Sequence, residues 1–483
     1  MSVFAPDVSK RSHTSFPIAT LLIVSAALFM VTLDNLVVTT ALPSIRVDLG
    51  ATLESLEWTV NAYTLAYAVL LLTGAALGDR FGRRRVFALG VALFTAASAA
   101  AAIAPSAGAL VAARAAQGAG AAIITPLTLT LLADAVAEEL RGLAIGLWSA
   151  VAGLGVALGP VIGGAIAGGI SWHWIFWVNV PIGLCLVPAA RTMLAESRGP
   201  GSRLDLRGVA LAGAGLLALV FGIVRSSALG WTSPTVLASL GLGVALLAAF
   251  LVWEARAAEP MLPLRFFSSR TFSATNGVSF AMYFGVFGSI FFLAQYFQTA
   301  QGLSPLQAGL HTLPWTAMPM LVAPAAGLLS DRIGARPLMA AGLGLQAVAL
   351  GWVASVAAVD TPYADLVPGL VLGGTGMGLV FAPSANAVLS AVRPQEAGQA
   401  SGATNTIREL GGVLGIAVLA TVFAGAGGYL SPQDYVAGMT AALPVGAAVL
   451  AGGALLALLV PGRGRRGRAG LAAELDPPLP SVT

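Results

Sequence analysis

Long apolar runs recur along the whole chain, and short segments that hold most of the charged residues separate them. A helix of about 20 consecutive apolar residues is long enough to cross the roughly 30 Å of hydrocarbon in a bilayer. By this criterion the pattern predicts fourteen membrane-spanning helices. They are expected near 17–42, 57–78, 86–104, 107–133, 142–168, 173–191, 207–225, 234–254, 271–297, 306–329, 337–358, 364–390, 403–426 and 437–460.

The composition agrees with this pattern. The 483 residues are 57% hydrophobic and only 10% charged, with a mean hydropathy of +0.86. These values lie far outside the range of soluble globular chains, so we expect an all-α polytopic protein in the lipid bilayer. The first apolar run has no small-residue cleavage site at a suitable distance, and we interpret it as a retained helix.

Positive charge is distributed unevenly between the two predicted faces. An even number of spans puts both termini on one side, and 21 of the 25 basic residues fall on that side. Only Arg46 and Arg225 lie at the opposite face, while Arg114 and Arg408 fall within spans. The positive-inside rule therefore predicts a multi-pass protein of the inner (plasma) membrane with both termini in the cytoplasm. The basic pI is then a topology signal, and no nucleic-acid partner is expected.

Nothing in the sequence indicates a metal or a cofactor. The single cysteine, Cys185, lies in an apolar run, and the three histidines are scattered. No Cys/His spacing is typical of a metal site, and no phosphate-binding loop indicates use of ATP. We expect no cofactor.

Four ionisable residues lie well inside predicted spans, away from the span ends: Asp34, Arg114, Arg408 and Glu409. Each costs roughly 2.5–3.5 kcal/mol at the centre of a bilayer on insertion scales, so they should face one another or a wet cavity. A buried ion pair with only a structural role is the alternative for Asp34 and Arg114. For Arg408 and Glu409 that alternative is stronger, because neighbours on a helix point about 100° apart.

The chain also repeats itself. The segment "LGDRFGRRR" at 77–85 matches "LSDRIGARP" at 329–337, and "GLAIGLWSAVAGLGVALG" at 142–159 aligns with "GQASGATNTIRELGGVLG" at 398–415. Two parallel repeats of six spans, with two spans inserted between them, account for both matches. The predicted domains are a first bundle at 1–195, inserted helices at 196–265, a second bundle at 266–462 and a disordered cytoplasmic tail at 463–483.

Five motifs occur in register along the chain. They are "LDNLVVTTALP" at 33–43, "DRFGRRR" at 79–85, "RAAQGAGAAIITP" at 114–126, "GLGVALGPVIGGAI" at 153–166 and "WHWIFWVNVPIG" at 172–183. Together they resemble the motifs of the fourteen-span drug:proton antiporters of the major facilitator superfamily, over about Pro17 to Gly462. One departure is Ala75, where the loop motif usually has a glycine; the second copy keeps Gly327.

The resemblance implies a major facilitator fold with two six-helix bundles and two inserted central helices. It also implies a charged latch between the halves at the two loop motifs, with a membrane anchor as the alternative for the basic residues. The glycines of the fifth span recur every four residues and should let another helix approach closely, while the proline permits a bend. The latch residues are Asp79, Arg80, Arg84, Asp331, Arg332 and Arg336, and the antiporter motif residues are Gly155, Gly159, Pro160, Gly163 and Gly164.

The repeat identifies residues that escape its symmetry. Arg114 aligns with Leu370, and Glu409 aligns with Gly153. Scaffolding should be shared by both halves, whereas chemistry need not be. We therefore predict that Asp34 and Arg114 couple protons to transport, with Glu409 as a second candidate.

The predicted function is proton-coupled efflux of a bulky, partly apolar organic compound, such as a drug or antibiotic, by alternating access. The chain is expected to act as a monomer and not as an enzyme, and its partners are the small-molecule substrate and protons. Proton-coupled transport of another small metabolite is the alternative, and a receptor or membrane enzyme is a more distant one. The substrate cavity should contain Tyr63, Tyr67, Tyr283, Gln295, Gln298 and Arg408.

Overall fold

The computed structural model describes residues 18–137, 141–198, 205–257, 260, 262–393 and 397–462. Within these ranges the side chains at 141–143, 145–146, 149, 152, 227–228, 331 and 397–398 are not described. The predicted cytoplasmic tail at 463–483 lies outside the described residues.

The described chain is almost entirely helical, and no strand is assigned in it. Its helices are α1 (Ile18–Leu49), α2 (Leu53–Phe81), α3 (Arg83–Ala102), α4 (Ala107–Ala135), α5 (Arg141–Gly169), α6 (Trp174–Trp177), α7 (Asn179–Met193), α8 (Leu206–Leu229), α9 (Pro234–Glu254), α10 (Arg270–Thr299), α11 (Pro305–Ile333), α12 (Ala335–Val356), α13 (Tyr363–Leu389), α14 (Ala397–Ala426) and α15 (Pro432–Ala457).

Thirteen helical segments of the described chain are long and apolar enough to cross a membrane, with α6 and α7 together forming one of them. A fourteenth helix of the described chain, α5, has 29 residues and includes the apolar stretch Gly153–Gly169. The prediction of an all-α polytopic membrane fold is therefore confirmed.

Local sequence sets several helix ends. Thr52 accepts a hydrogen bond from the Ser55 backbone at 3.2 Å and caps α2, which therefore begins before the predicted residue 57. The sixth span is divided at Val178, because Pro181 has no N–H to offer the carbonyl of Trp177. Both copies of the repeated loop turn on a glycine with positive φ, at Gly82 (105°) and Gly334 (88°).

Packing follows the repeat. In the first half α2 contacts α4 and α1 contacts α5; in the second α11 contacts α13 and α10 contacts α14. The halves meet where α5 packs on α11 and where α2 packs on α14. These two seams are equivalent, because α2 corresponds to α11 and α5 to α14 in the repeat. The inserted helices α8 and α9 pack on each other, and α8 also contacts α2 and α14.

The helical bundle has two ends, which are called the termini side and the far side. The termini side is the end at which α1 begins and α2 turns into α3. The far side is the opposite end, at which α1 turns into α2 and α14 into α15.

Candidate functional site

A cavity of about 230 Å³ lies between the two halves. Four helices of the first half (α1, α2, α4 and α5) and their four repeat equivalents (α10, α11, α13 and α14) line it. The walls are mostly apolar and aromatic. The lining residues are Leu28, Val31, Thr32, Asn35, Leu36, Tyr63, Tyr67, Thr125, Trp148, Val156, Tyr283, Val286, Phe287, Ile290, Trp315, Thr316, Met377, Phe381, Asn405 and Glu409.

All three predicted tyrosines contribute to this cavity. The rings of Tyr63 and Tyr67 stack at a centroid distance of 6.2 Å on the first half. On the second half the ring of Tyr283 stacks on Phe287 at 5.2 Å. The cavity therefore presents flat aromatic faces from both halves, which suits a ligand with extended apolar surface.

The two predicted glutamines do not line this cavity. Gln298 donates to the carbonyl of Thr40 at 2.8 Å, and Gln295 accepts from the Tyr429 hydroxyl at 2.6 Å. Both lie beyond Ile290 on α10, one turn or more toward the far side. At that level α10 already packs on its neighbours, so these amides join helices together and do not reach the cavity.

Arg408 is behind the cavity wall. Its Nη2 donates to the Ser384 hydroxyl at 2.9 Å and its Nη1 to Asn405 at 3.4 Å. The guanidinium carbon lies 5.9 Å from the ring centroids of both Tyr283 and Phe381. Arg408 thus supports two aromatic side chains that the cavity exposes.

Glu409 is the one carboxylate among the described residues that line the cavity. Its side chain is largely buried, with 8% of the residue exposed, and its Oε2 accepts no hydrogen bond from the described residues. No ion pair between Glu409 and Arg408 is formed within the part of the chain described. This carboxylate can therefore take up a proton or attract a cationic group from the cavity.

Asp34 lies in a different environment. Its Oδ2 accepts from Arg114 Nη1, and its Oδ1 accepts from Asn179 at 2.8 Å and from Gln117 at 3.1 Å. Gln117 also accepts from Arg114 at 2.9 Å and donates to the Ser98 hydroxyl at 2.7 Å. The network joins α1, α3, α4 and α7, and the side chains of Asp34 and Arg114 have no exposed surface.

Tyr63 separates this network from the cavity. The guanidinium carbon of Arg114 lies 4.3 Å from the Tyr63 ring centroid, and the same ring lines the cavity. Asn35 lines the cavity, whereas Asp34, one residue earlier on α1, faces the interior of the first half. Of the two surroundings expected for an intramembrane charge, another charge or a wet cavity, Asp34 therefore has the first, because it faces Arg114.

Arg114 was predicted as a partner of Asp34, but Gln117, Asn179 and Ser98 of the same network were not. Gln117 lies three residues after Arg114 and so shares its helix face, a signal that was present in the "RAAQ" segment. Asn179 follows the break between α6 and α7, and Ser98 is one of two hydroxyl residues on the alanine-rich helix α3. No local pattern marks either of these two, because only packing brings α3 next to α4 and α7 next to α1.

The charged loop between α2 and α3 makes its ion pairs within the first half. Asp79 pairs with Arg83 at 2.8 Å, and Arg83 also pairs with Asp134 at 2.6 Å. Arg84 lies 3.5 Å from Glu196, which follows α7. In the described structure Asp79 thus pairs with Arg83, at i+4, which was not among the predicted latch residues.

The remaining latch residues are placed as follows. The guanidinium carbon of Arg80 lies 5.3 Å from the Phe81 ring centroid. Arg332 and Arg336 lie on either side of the Gly334 turn, while the side chain of Asp331 is outside the described residues. A latch between the halves stays a prediction.

The glycines of α5 face two neighbours. A Cβ at Gly155, Gly159 or Gly163 would clash with Thr32, Leu36 or Thr40 of α1. A Cβ at Gly164 would clash with the backbone of Pro305 on α11, across the seam between the halves. Pro160 lies against Gly309 of α11. These small residues allow α5 to approach α1 and α11 closely.

Comparisons with known proteins agree with this architecture. The sequence model of the Major Facilitator Superfamily matches residues 24–416. A cephamycin export protein, CmcT, of Amycolatopsis lactamdurans is 41% identical over 89% of this chain and 90% of its own length. The tetracenomycin C resistance and export protein of Streptomyces glaucescens is 35% identical over 87% of this chain and 78% of its own length. The puromycin resistance protein pur8 of Streptomyces alboniger is 36% identical over 84% of this chain and 82% of its own length.

Solved structures share the fold at low sequence identity. The human organic anion transporter MFSD10 (TETRAN) matches with a TM-score of 0.62 and 17% identity, over 91% of this chain and 99% of its own. A POT family transporter in complex with a thioalcohol-conjugated peptide matches with a TM-score of 0.69 and 13% identity, over 91% of this chain and 95% of its own. These likenesses concern the fold alone.

Proposed function

The chain belongs to the major facilitator superfamily, and we propose that it exports a bulky, partly apolar antibiotic or drug in exchange for protons. It is a multi-pass membrane transporter and not an enzyme. The observation that carries the proposal is the cavity between the halves, with aromatic faces on both walls and the single carboxylate of Glu409. Relatives named as export or resistance proteins for cephamycin, tetracenomycin C and puromycin support the choice of substrate class.

Alternating access is the mechanism that this arrangement favours. On the far side, Gln298 of α10 holds the Thr40 carbonyl of α1, and Arg46 of α1 lies 4.2 Å from the Tyr429 ring centroid. The lining residues of the cavity lie between this closure and the termini side. Drug-sized ligands generally need about 300–1,000 Å³, so the cavity must widen as the halves move apart at one side or the other.

Protons would enter this cycle at carboxylates. In our proposal Glu409 binds a proton or a cationic substrate in turn, because both reach it from the cavity. Asp34 and Arg114 couple to this step through Tyr63, which contacts the guanidinium and the cavity. One proton crossing about 150 mV supplies roughly 3.5 kcal/mol, which sustains a few-hundred-fold gradient of solute.

A drug-susceptibility panel in an efflux-deficient bacterial host tests the function. Expression of the chain should raise the inhibitory concentration of at least one bulky, partly apolar antibiotic, and an uncoupler should abolish the accompanying efflux. In inverted vesicles, an imposed pH gradient should drive uptake of the same compound. An uptake rate that does not depend on the pH gradient would contradict proton coupling. Uptake in right-side-out vesicles would favour the import of a metabolite.

A further inference from the structure

A further buried carboxylate lies on α2, apart from Asp34 and Glu409. Glu57 is 1% exposed, and its Oε2 accepts no hydrogen bond from any described residue. Asn61, one turn later, is fully buried, and neither atom of its amide group has a partner in the described chain. Glu57 is the first residue of the predicted span 57–78, so it is not among the four charges well inside predicted spans. An ionised carboxylate in such surroundings is strongly disfavoured.

These two side chains lie on the face of α2 that meets the second half. Glu57, Asn61, Ala68 and Leu72 are spaced by four, seven and four residues, which places them on one stripe of the helix. The Ala68 carbonyl accepts from Thr406 of α14 at 3.2 Å, and Leu72 packs on Gly402 of the same helix. Glu57 is at the far-side end of this seam between α2 and α14.

The charged and titratable groups near Glu57 come from both halves. Burial raises the pKa of the Tyr429 hydroxyl, Arg46 opposes this shift and Glu57 adds to it, so Arg46 and Glu57 both lie within electrostatic reach of Tyr429. Arg46 packs over the Tyr429 ring at 4.2 Å, and Glu54, on the preceding turn, pairs with Arg225 of α8 at 3.3 Å. No cation forms an ion pair with Glu57 within the residues described.

We propose that Glu57 is a proton-binding gate, which must be neutral before the far side of the α2–α14 seam can close. When α2 and α14 separate there, water reaches the carboxyl group, and the proton passes to water to leave a carboxylate and a hydronium ion. Acid on the far side reverses this step and favours closure. The inference rests on the proposed alternating access, but Glu57 holds its proton at the gate and does not carry it across the membrane.

Distances between spin labels test this gate without any substrate. In a Cys185→Ser background, Val47→Cys on α1 and Leu430→Cys before α15 provide label sites that are 84% and 95% exposed. The background protein should show a growing population with a longer far-side distance as pH rises from about 5 to about 9. Glu57→Gln should lose this response and stay closed. Opening of Glu57→Gln over the same pH range as the background protein would overturn the proposal.

Glu54→Gln is the matched control, because it removes a carboxylate one turn away that is already paired with Arg225. It should keep the pH response; loss of the response in this variant as well would contradict the assignment to Glu57. Thermal unfolding of purified protein provides a second readout. The melting temperature of the background protein should fall as pH rises, since unfolding then exposes Glu57 to water, where it gives up its proton. The melting temperature of Glu57→Gln should fall less over the same pH range.

The outcomes remain separable from those of the proposed function. A neutral side chain of the same shape fits the closed seam, so failure of Glu57→Gln to fold would itself contradict the gate. A chain that exports none of the tested antibiotics can still show a Glu57-dependent distance change. Conversely, a chain that exports an antibiotic can lack the Glu57-dependent distance change. In that case only the proposed gate is wrong.

Discussion

Asp34 in the first half and Glu409 in the second half, the two carboxylates well inside predicted spans, are held in opposite ways. In the first half, Asp34 accepts hydrogen bonds from Arg114, Gln117 and Asn179 and has no exposed side-chain surface. In the second half, Glu409 lines the cavity and leaves one carboxylate oxygen without a donor in the described structure. Both groups would be costly in hydrocarbon, yet only the first is fully compensated by fixed partners.

This difference separates two uses of a buried charge. A carboxylate with three donors is held in one geometry, and its removal leaves a buried guanidinium without a counter-charge. A carboxylate that faces a cavity can exchange its partner, and a proton or a cationic substrate can take that place. We therefore assign Asp34 mainly to the rigid first half and Glu409 to direct contact with the transported species, and both assignments can be tested.

The largest effect is expected from a substitution that breaks the enclosed pair of Asp34 and Arg114. Asp34→Asn keeps the volume but leaves Arg114 buried and unpaired, so we expect a loss of about 3–5 kcal/mol of stability and a low yield of folded protein. Thermal unfolding in detergent measures it. The double variant Asp34→Asn/Arg114→Gln should recover part of the loss. If Asp34→Asn is as stable as the parent protein, the pair is not enclosed and water reaches it.

The next effect concerns transport and leaves the fold alone. Glu409→Gln should change stability by less than about 1 kcal/mol, since no fixed donor is lost, but it should abolish export driven by a pH gradient. Efflux of a fluorescent dye from vesicles, at matched protein amounts, checks this. Export at the parent rate would show that Glu409 is not the proton site and would leave Asp34, outside the cavity, as the other predicted coupling carboxylate.

A smaller effect tests the seam at which the two halves meet. Gly164→Ala adds a methyl group against the Pro305 backbone of α11 and should cost about 1–3 kcal/mol, together with slower transport. Gly153→Ala, on the same helix, meets only Met320 at 3.6 Å and serves as the control. Equal transport rates for both variants would show that close packing of α5 on α11 does not limit the motion.

The smallest effect lies at the loop between α2 and α3. The Asp79–Arg83 pair is partly exposed, with 26% of the Asp79 side chain accessible, so Asp79→Asn should cost less than about 1 kcal/mol. If the loop acts as a latch, transport should nevertheless fall. Transport at the parent rate, with membrane levels of protein matched by immunoblot, would leave these charges a topological role only.

The sequence by itself determined the helical membrane fold and its internal repeat. It also identified the charged residues well inside the membrane spans. Apolar runs of bilayer length leave a helix as the only way to satisfy the backbone, so the spans could be predicted from hydropathy. The matching loops predicted equivalent turns, and Gly82 and Gly334 both adopt positive φ. The cost of burying charge singled out Asp34 and Arg114, which the structure brings into direct contact.

Only the tertiary structure decided which neighbour covers each face of a helix. Helix periodicity predicts that Asp34 and Asn35 point in different directions, but packing of α4 and α7 on α1 enclosed Asp34 and left Asn35 on the cavity. In the same way Gln295 joins helices instead of lining the cavity, and Glu57 became buried at the seam. The physical reason is that helix geometry is local, whereas burial depends on residues far away in the sequence.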